Sequence, residues 1–349
     1  MNCIVKKQAG IGHLVIEKRP IPEIGHRDVL VKVQAAAICG TDIHIQEWNE
    51  WAAKRVAIDT IIGHEFAGEV VEIGKDVTSI KVGDIVSAET HIACNTCDLC
   101  YNGHKHVCYN TQLIGVTRDG CFAEYISIPA ENTIICDPKI PIEILSMMEP
   151  LGVAVHAVME FSVASKSVAV IGCGPIGLMA VAVAKMVGAK TIIAVEPNTG
   201  RAKQAQLMGA HYAVNPTEED PVKKIKNLTD GKGVDVILEF SGNIQGIKSA
   251  LSYCKPEAKI AAVGLPSKPV DFDFAEFVYR GLSLKGIAGR LMYQSWEQAK
   301  GLLEAGLDIS PVASHVMSMT DFAEGLHLMK DGECVKVILK PTADFKELL

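Results

Sequence analysis

SVAVIGCGPIGLMAVAVAKMVGA, residues 167–189, decides how the middle of this chain folds. The apolar run over 168–184 approaches the length of a membrane span. Gly172, Gly174, Pro175 and Gly177 nevertheless divide it into a short β-branched strand and a helix that ends near Gly188. The loop GCGPIG sets Gly172, Gly174 and Gly177, with Pro175 and Ile176 between them, in G-x-G-x-x-G spacing. The first glycine permits a tight turn, the second lets a pyrophosphate approach the backbone, and the third lets helix pack on strand. The helix N-terminus then offers free N–H groups and a favourable dipole to the phosphates. Glu196 ends the next strand, about 20 residues on, where a carboxylate hydrogen-bonds ribose hydroxyls and repels a 2′-phosphate. NAD is therefore expected over NADP, with Arg201 nearby as the opposing influence. The plainer reading of the same residues is a Gly-rich strand–helix turn with a surface glutamate.

Working outward, TIIAVEP, RAKQAQLMGA, AHYAVN, DPVKKIKNLTDG and GVDVILEFSG alternate between strand and helix patterns. KIAAVGL and LSLKGIAG extend the series. Such alternation implies βαβ units and a parallel sheet. Before residue 150 the pattern differs. DVLVKVQAAA (28–37) and FAGEVVEI (66–73) are strand-like runs between turn signals, and the segment to about 135 reads as short strands and polar loops. After 291 come two helix patterns and the strand KVILK. The expected organisation is a β-rich domain over 1–150 and 292–349 and a doubly wound α/β domain over 151–291.

The 349 residues fit two domains. A net charge of −7 without a basic run argues against a nucleic-acid surface. MNCIVKKQAG has no apolar h-region. A cytoplasmic protein without a membrane segment is expected, with its eleven cysteines reduced. Clustered cysteines in that setting read as metal ligands.

One cluster is CNTCDLCYNGHKHVC, with Cys94, Cys97, Cys100 and Cys108 in C-x2-C-x2-C-x7-C spacing. Four thiolates close a tetrahedral zinc site with no open position, which makes it structural. An iron–sulfur cluster is the competitor, but the last spacing departs from the ferredoxin form. A second set is dispersed: Cys39 in ICGTDIHIQEWNEW (38–51), His64 and Glu65 in GHEFAGEVVEIG, and Glu149 in MEPLG. One Cys, one His and one carboxylate leave a fourth position open, as catalytic zinc requires. Singly, each has an ordinary reading as a packed thiol, a turn histidine or a surface charge.

In this order, C-G-T-D-x-H, G-H-E-x-x-G, the four-cysteine loop, E-P-L-G and G-x-G-x-x-G resemble the zinc-containing medium-chain alcohol dehydrogenase superfamily, over essentially the whole chain. The resemblance implies a GroES-like β-rich catalytic domain with an inserted Rossmann domain, two zinc ions per chain, NAD and a homotetramer. It places Cys39, His64 and Glu149 on the catalytic zinc, with Glu65 beside them. Thr41 and His44 would carry the hydroxyl proton of a small secondary alcohol to solvent. Within the superfamily, HIQEWNEW, ETHIACNTC around His91, GVTRDGCFAEY and GIAGRLMYQSW resemble the branch that oxidises L-threonine at its 3-hydroxyl. That adds His91 to the catalytic residues. Arg290 would bind either the cofactor pyrophosphate or the substrate carboxylate. Trp48 and Trp51 either line the substrate entrance or pack a loop. Val153 departs from the threonine pattern and resembles the polyol branch, so a polyol or 2,3-butanediol dehydrogenase is the alternative. A catalytically silent zinc- and dinucleotide-binding protein is the reading from another class. It expects eroded ligands, and here Cys39, His64 and Glu149 are all present.

Overall fold

The computed structural model describes residues 1–341. The chain divides into two compact units, one made of Met1–Glu149 and the segment from Ala313 onward, the other of Pro150–Val312.

In the second unit, strand Ser167–Ile171 is wholly buried and lies at the middle of a six-stranded parallel sheet. The strand order is Tyr212–Val214, Thr191–Val195, Ser167–Ile171, Val234–Glu239, Cys254–Ala262, Ser283–Gly286. Moving outward from Ser167–Ile171 in both directions is the doubly wound arrangement, and it places ligands at the carboxyl ends of the strands. Helix Pro175–Met186 follows the central strand and has proline in its first turn, where no N–H is missed. Gly172 turns the chain with φ +82°, and a Cβ on Gly177 would sit 2.0 Å from the Gly172 carbonyl. Only glycine fits either position.

The first unit is β-rich. Strand Asp28–Ala37 pairs antiparallel with Glu65–Ile73, Tyr125–Pro129 and Lys336–Lys340. Val31, Val33, Phe66, Val70, Val86, Ile126 and Ile128 belong to the buried core beneath. The register matters for the site. Ala37 lies opposite both Glu65 and Ile338, so Cys39, Glu65 and Lys336 come from adjoining strand ends although they are far apart in sequence.

The first stretch is not only strands and loops: helices Gly40–Glu47 and Glu50–Arg55 interrupt it. The return to the first unit falls at Ala313 rather than at 292. Helix Gln294–Glu304 lies in the second unit, with Ser295, Trp296, Ala299 and Leu303 buried. Residues 342–349 of the expected catalytic segment lie outside the described residues. No helix among the described residues is long and apolar enough to cross a membrane.

Candidate active site and metal centres

Cys39 occupies the N-cap of helix Gly40–Glu47, and its backbone N–H donates to Asp42 Oδ2 at 2.8 Å. This reciprocal cap fixes the thiol at the end of a strand. Cys39, His64 and Glu65 offer ligand atoms that all lie within 4.8 Å of one another. His64 and Glu65 are buried, and among the described residues His64 Nδ1 has no hydrogen-bond partner. A thiol, an imidazole and a carboxylate converging in a buried place form a donor set that zinc accepts, and the buried unpaired nitrogen fits an ion there.

Glu149 lies outside that tight trio. It stands on the first turn of helix Met148–Glu160, and its Oε1 accepts from the Thr90 hydroxyl at 3.3 Å. It is close enough to raise the Glu65 carboxyl electrostatically. Burial is the larger cause and pushes Glu65 well above the usual carboxylate range, against the opposing charge of Lys336. Lys336 Nζ donates to Glu65 Oε1 at 2.7 Å, and both groups are almost fully enclosed. Burial works against the Lys336 charge, but Glu65, Cys39 and Glu149 together hold its pKa above the ordinary value. The sequence reading did not single out Lys336. Its one signal is a lysine opening the buried strand KVILK. Lys336→Met would leave Glu65 enclosed without its cation, so a loss of about 3–5 kcal/mol is expected by denaturant unfolding. A loss below about 1 kcal/mol, the worth of an exposed pair, would contradict this.

Thr41 Oγ1 lies 3.6 Å from Cys39 Sγ. His44 follows one turn along the same helix and is exposed, so the two share a face that runs from the thiol to the surface. Trp48 and Trp51 are half-buried against the core, with Lys6 Nζ 4.6 Å from the centre of the Trp48 ring and the Arg55 guanidinium 5.6 Å from that of Trp51. These contacts account for them as loop packing.

The four-cysteine loop gathers without His104 or His106. Cys94, Cys97, Cys100 and Cys108 lie within one ligand-sized cluster. Sulfur separations are 3.5 Å for Cys97–Cys100, 3.8 Å for Cys97–Cys108 and 3.4 Å for Cys94–Cys108. A tetrahedron with Zn–S of about 2.3 Å has edges of about 3.8 Å, so the sulfurs already stand near that geometry. Backbone N–H groups of Cys94 and Asn110 donate to Cys108 Sγ, and the Thr96 hydroxyl and amide hold the Cys94 thiol down at about 5. Cys97 is also held below the usual thiol range, chiefly by a backbone N–H from Cys100, whereas burial pushes the Cys100 thiol up to about 12.

In the second unit a cavity of about 1100 Å³ opens at the strand ends. Gly172, Gly174, Glu196, Arg201 and Ser241 line it, and a Cβ at Gly174 would meet nothing. Pro175 and Ile176 open the helix behind the glycine loop. Glu196 is buried; Oε2 accepts from the Cys173 N–H at 2.7 Å and Oε1 from the Asn198 N–H at 2.9 Å. It thus ties the glycine loop to the start of the next helix. Arg290 does not line this cavity. It is enclosed, with its side chain against the position of Gly152 and its guanidinium 5.9 Å from the centre of the Trp296 ring. His91 stands on the short strand His91–Ile92, which pairs with Gln112–Leu113.

A β-rich unit holding Cys39, His64 and Glu65, and a doubly wound unit with a glycine-loop cavity, agree with what the chain is similar to. Residues 25–138 match the alcohol dehydrogenase GroES-like domain, and residues 175–305 match the zinc-binding dehydrogenase family. The chain belongs to the zinc-containing medium-chain alcohol dehydrogenase superfamily, and it is an oxidoreductase of a class that works with zinc and a nicotinamide cofactor. More particularly, it is 48% identical to the L-threonine 3-dehydrogenase of Caldanaerobacter subterraneus subsp. tengcongensis, over 98% of this chain and 99% of that one. It is 46% identical to that of Symbiobacterium thermophilum, over 98% of each. Among solved structures, galactitol-1-phosphate dehydrogenase from Escherichia coli superposes with a TM-score of 0.90 at 29% identity, over 98% of this chain and 100% of that one.

Proposed function

We propose that the protein oxidises L-threonine to 2-amino-3-oxobutanoate, with NAD taking the hydride from C3 and the hydroxyl proton leaving to solvent. The observation that carries the substrate is the full-length similarity to L-threonine 3-dehydrogenases at 48% identity. The convergence of Cys39, His64 and Glu65 beside Thr41 supports the chemistry. Two zinc ions per chain are expected. Cys39, His64 and Glu149 would hold one, with Glu65 able to take a place beside them, and the four cysteines of the 94–108 loop would hold the other. Bound zinc supplies Lewis acidity that makes a secondary hydroxyl acidic near neutral pH. Thr41 accepts the proton and His44 passes it out. His91 is proposed among the catalytic residues, and Arg290 as the partner of either the cofactor pyrophosphate or the substrate carboxylate; a zwitterion needs such partners, because a buried unpaired ammonium or carboxylate costs several kcal/mol. A homotetramer goes with this reading through the resemblance, and the cytoplasm is its proposed location. Product analysis tests it: L-threonine with NAD yields a ketone that a hydrazine traps as the hydrazone of 2-amino-3-oxobutanoate or of the amino ketone left when that β-oxo acid loses CO2. NADH formed without that product would refute the reaction.

Preference for NAD rests on Glu196. A 2′-phosphate meets its carboxylate, and the ribose loses a paired hydroxyl. The unmodified protein is expected to favour NAD by at least about tenfold in kcat/KM, and Glu196→Ala to narrow that ratio, with Arg201 near the phosphate. Glu196 also braces the glycine loop, so the variant should weaken NAD itself. Equal specificity constants for the two cofactors in the unmodified protein would contradict the assignment.

Val153 is the observation that favours a second reading. It is buried on helix Met148–Glu160, where the threonine pattern carries a polar residue and the polyol pattern valine. A polyol or 2,3-butanediol site needs no partner for an ammonium group.

A further inference from the structure

We propose that Glu239 is a positioning residue for the cofactor, whose crevice it shapes by holding the turn at 240–243 in place opposite the glycine loop. The proposal rests on the reading of the strand-end cavity as the dinucleotide site. Strands Ser167–Ile171 and Val234–Glu239 are parallel neighbours, with Ile171 level with Glu239. The sheet winds outward from this pair in opposite directions, so the crevice between the two loops that follow is the topological switch point. The glycine loop forms one lip. The turn at 240–243 forms the other, and its Phe240, Ser241 and Asn243 line the cavity. The two lips are in close contact. The Phe240 N–H donates to the Ile171 carbonyl at 2.8 Å, and a Cβ on Gly172 would stand 2.9 Å from Ser241 Cα.

Glu239 is enclosed and is not itself among the residues that line the cavity, so it acts through the turn. Its Oε1 accepts from the Ser241 N–H at 2.8 Å, from the Gly242 N–H at 3.0 Å and from the Ser241 hydroxyl. Oε2 takes a longer bond of 3.3 Å from the Gly242 N–H. Ser241 Oγ in turn accepts from the Asn243 N–H at 3.0 Å. The Asn243 side chain then caps helix Ile244–Tyr253 by accepting from the Gly246 N–H at 2.9 Å. One carboxyl thus sets the turn and the start of the helix behind it. Burial raises the Glu239 pKa, and the Ser241 and Gly242 donors lower it. The role needs only an acceptor, and Oε1 is one whether or not Oε2 carries a proton. An apolar side chain in this place would leave two backbone N–H groups without their partner. Gly264 backs the turn, since a Cβ there would stand 2.1 Å from the Gly242 nitrogen. The turn therefore relaxes toward the cavity and the Gly172 lip, which is where a dinucleotide would lie.

The test is equilibrium binding of NADH to the full-length, zinc-loaded protein, read by nicotinamide fluorescence with no alcohol present. Glu239→Leu should weaken NADH about tenfold, and Glu239→Gln, whose side-chain carbonyl keeps an acceptor, less than about threefold. Hydrogen exchange measured without NADH supplies the second readout. The peptide spanning 240–246 should exchange at least about tenfold faster in Glu239→Leu and stay near the unmodified rate in Glu239→Gln. Should Glu239→Leu fail to fold, Glu239→Asp draws the acceptor back by one methylene and takes its place, with the same expected result. A lower melting temperature with unchanged NADH affinity would show that Glu239 supports the fold only, and would overturn the proposal. Weaker NADH with unchanged exchange would overturn it as well, because the turn would not be the route. So would equal weakening in Glu239→Gln and Glu239→Leu, because an acceptor would not be what matters. Failure of the unmodified protein to bind NADH would instead defeat the dinucleotide reading, and the proposal with it.

Discussion

Cys39→Ser should remove turnover almost completely, lowering kcat/KM by more than about 10³-fold, because losing even an outer partner of a metal site typically costs about 10–100-fold. Serine is nearly the same size as cysteine but is a poor zinc ligand at neutral pH. It also suits the position Cys39 holds. Cys39 is the N-cap of helix Gly40–Glu47, and serine is among the preferred N-cap residues, so the helix and the Asp42 contact should survive. Circular dichroism and the melting temperature should therefore stay near those of the unmodified protein while metal content falls from two ions per chain toward one. Turnover at the unmodified rate would remove Cys39 from the catalytic centre. Loss of folding together with activity would show that its part is structural.

Cys97→Ala should do the opposite. Cys97 lies 3.5 and 3.8 Å from the sulfurs of Cys100 and Cys108, so its removal opens a closed site. The energy of a structural metal site is folding energy. A destabilisation above about 4 kcal/mol is expected, the range in which loss of a metal falls. The ion of this loop should be lost or become removable by chelators. The unmodified loop should keep its metal under chelation that empties the Cys39 site, because a closed tetrahedral site has no open position for a competing ligand. Iron with acid-labile sulfide in the purified protein would replace zinc by an iron–sulfur cluster and defeat this assignment.

Local spacing made two of the three sites legible. Gly172, Gly174 and Gly177 act within one turn, and the four cysteines within one loop, so their geometry is written in consecutive residues. The alternation of strand and helix through the second unit was readable for the same reason. The Cys39 site was less so. Its members meet because Ala37 pairs with Glu65 on one side and Ile338 on the other, and strand register across such separations is not visible in a sequence. Hence Lys336 was missed, and the carboxylate that converges with Cys39 and His64 within 4.8 Å is Glu65, while Glu149 takes the Thr90 hydroxyl. The helix Gln294–Glu304 was recognisable as a helix, yet its apolar face does not say which core receives it, so the second boundary fell short of Ala313. Asp42 had a usable signal: an acidic residue three places after an N-cap.

The most direct test of the account compares kcat/KM, followed as NADH formation with NAD in excess, for L-threonine, sorbitol, xylitol and 2,3-butanediol. A pocket that pairs both charges of a zwitterion favours L-threonine over the uncharged alcohols by at least about 10²-fold, since several kcal/mol separate paired from unpaired buried charges. L-threonine is expected to lead by that margin. A higher specificity constant for a polyol or for 2,3-butanediol would contradict it and make Val153 the truer guide to the substrate.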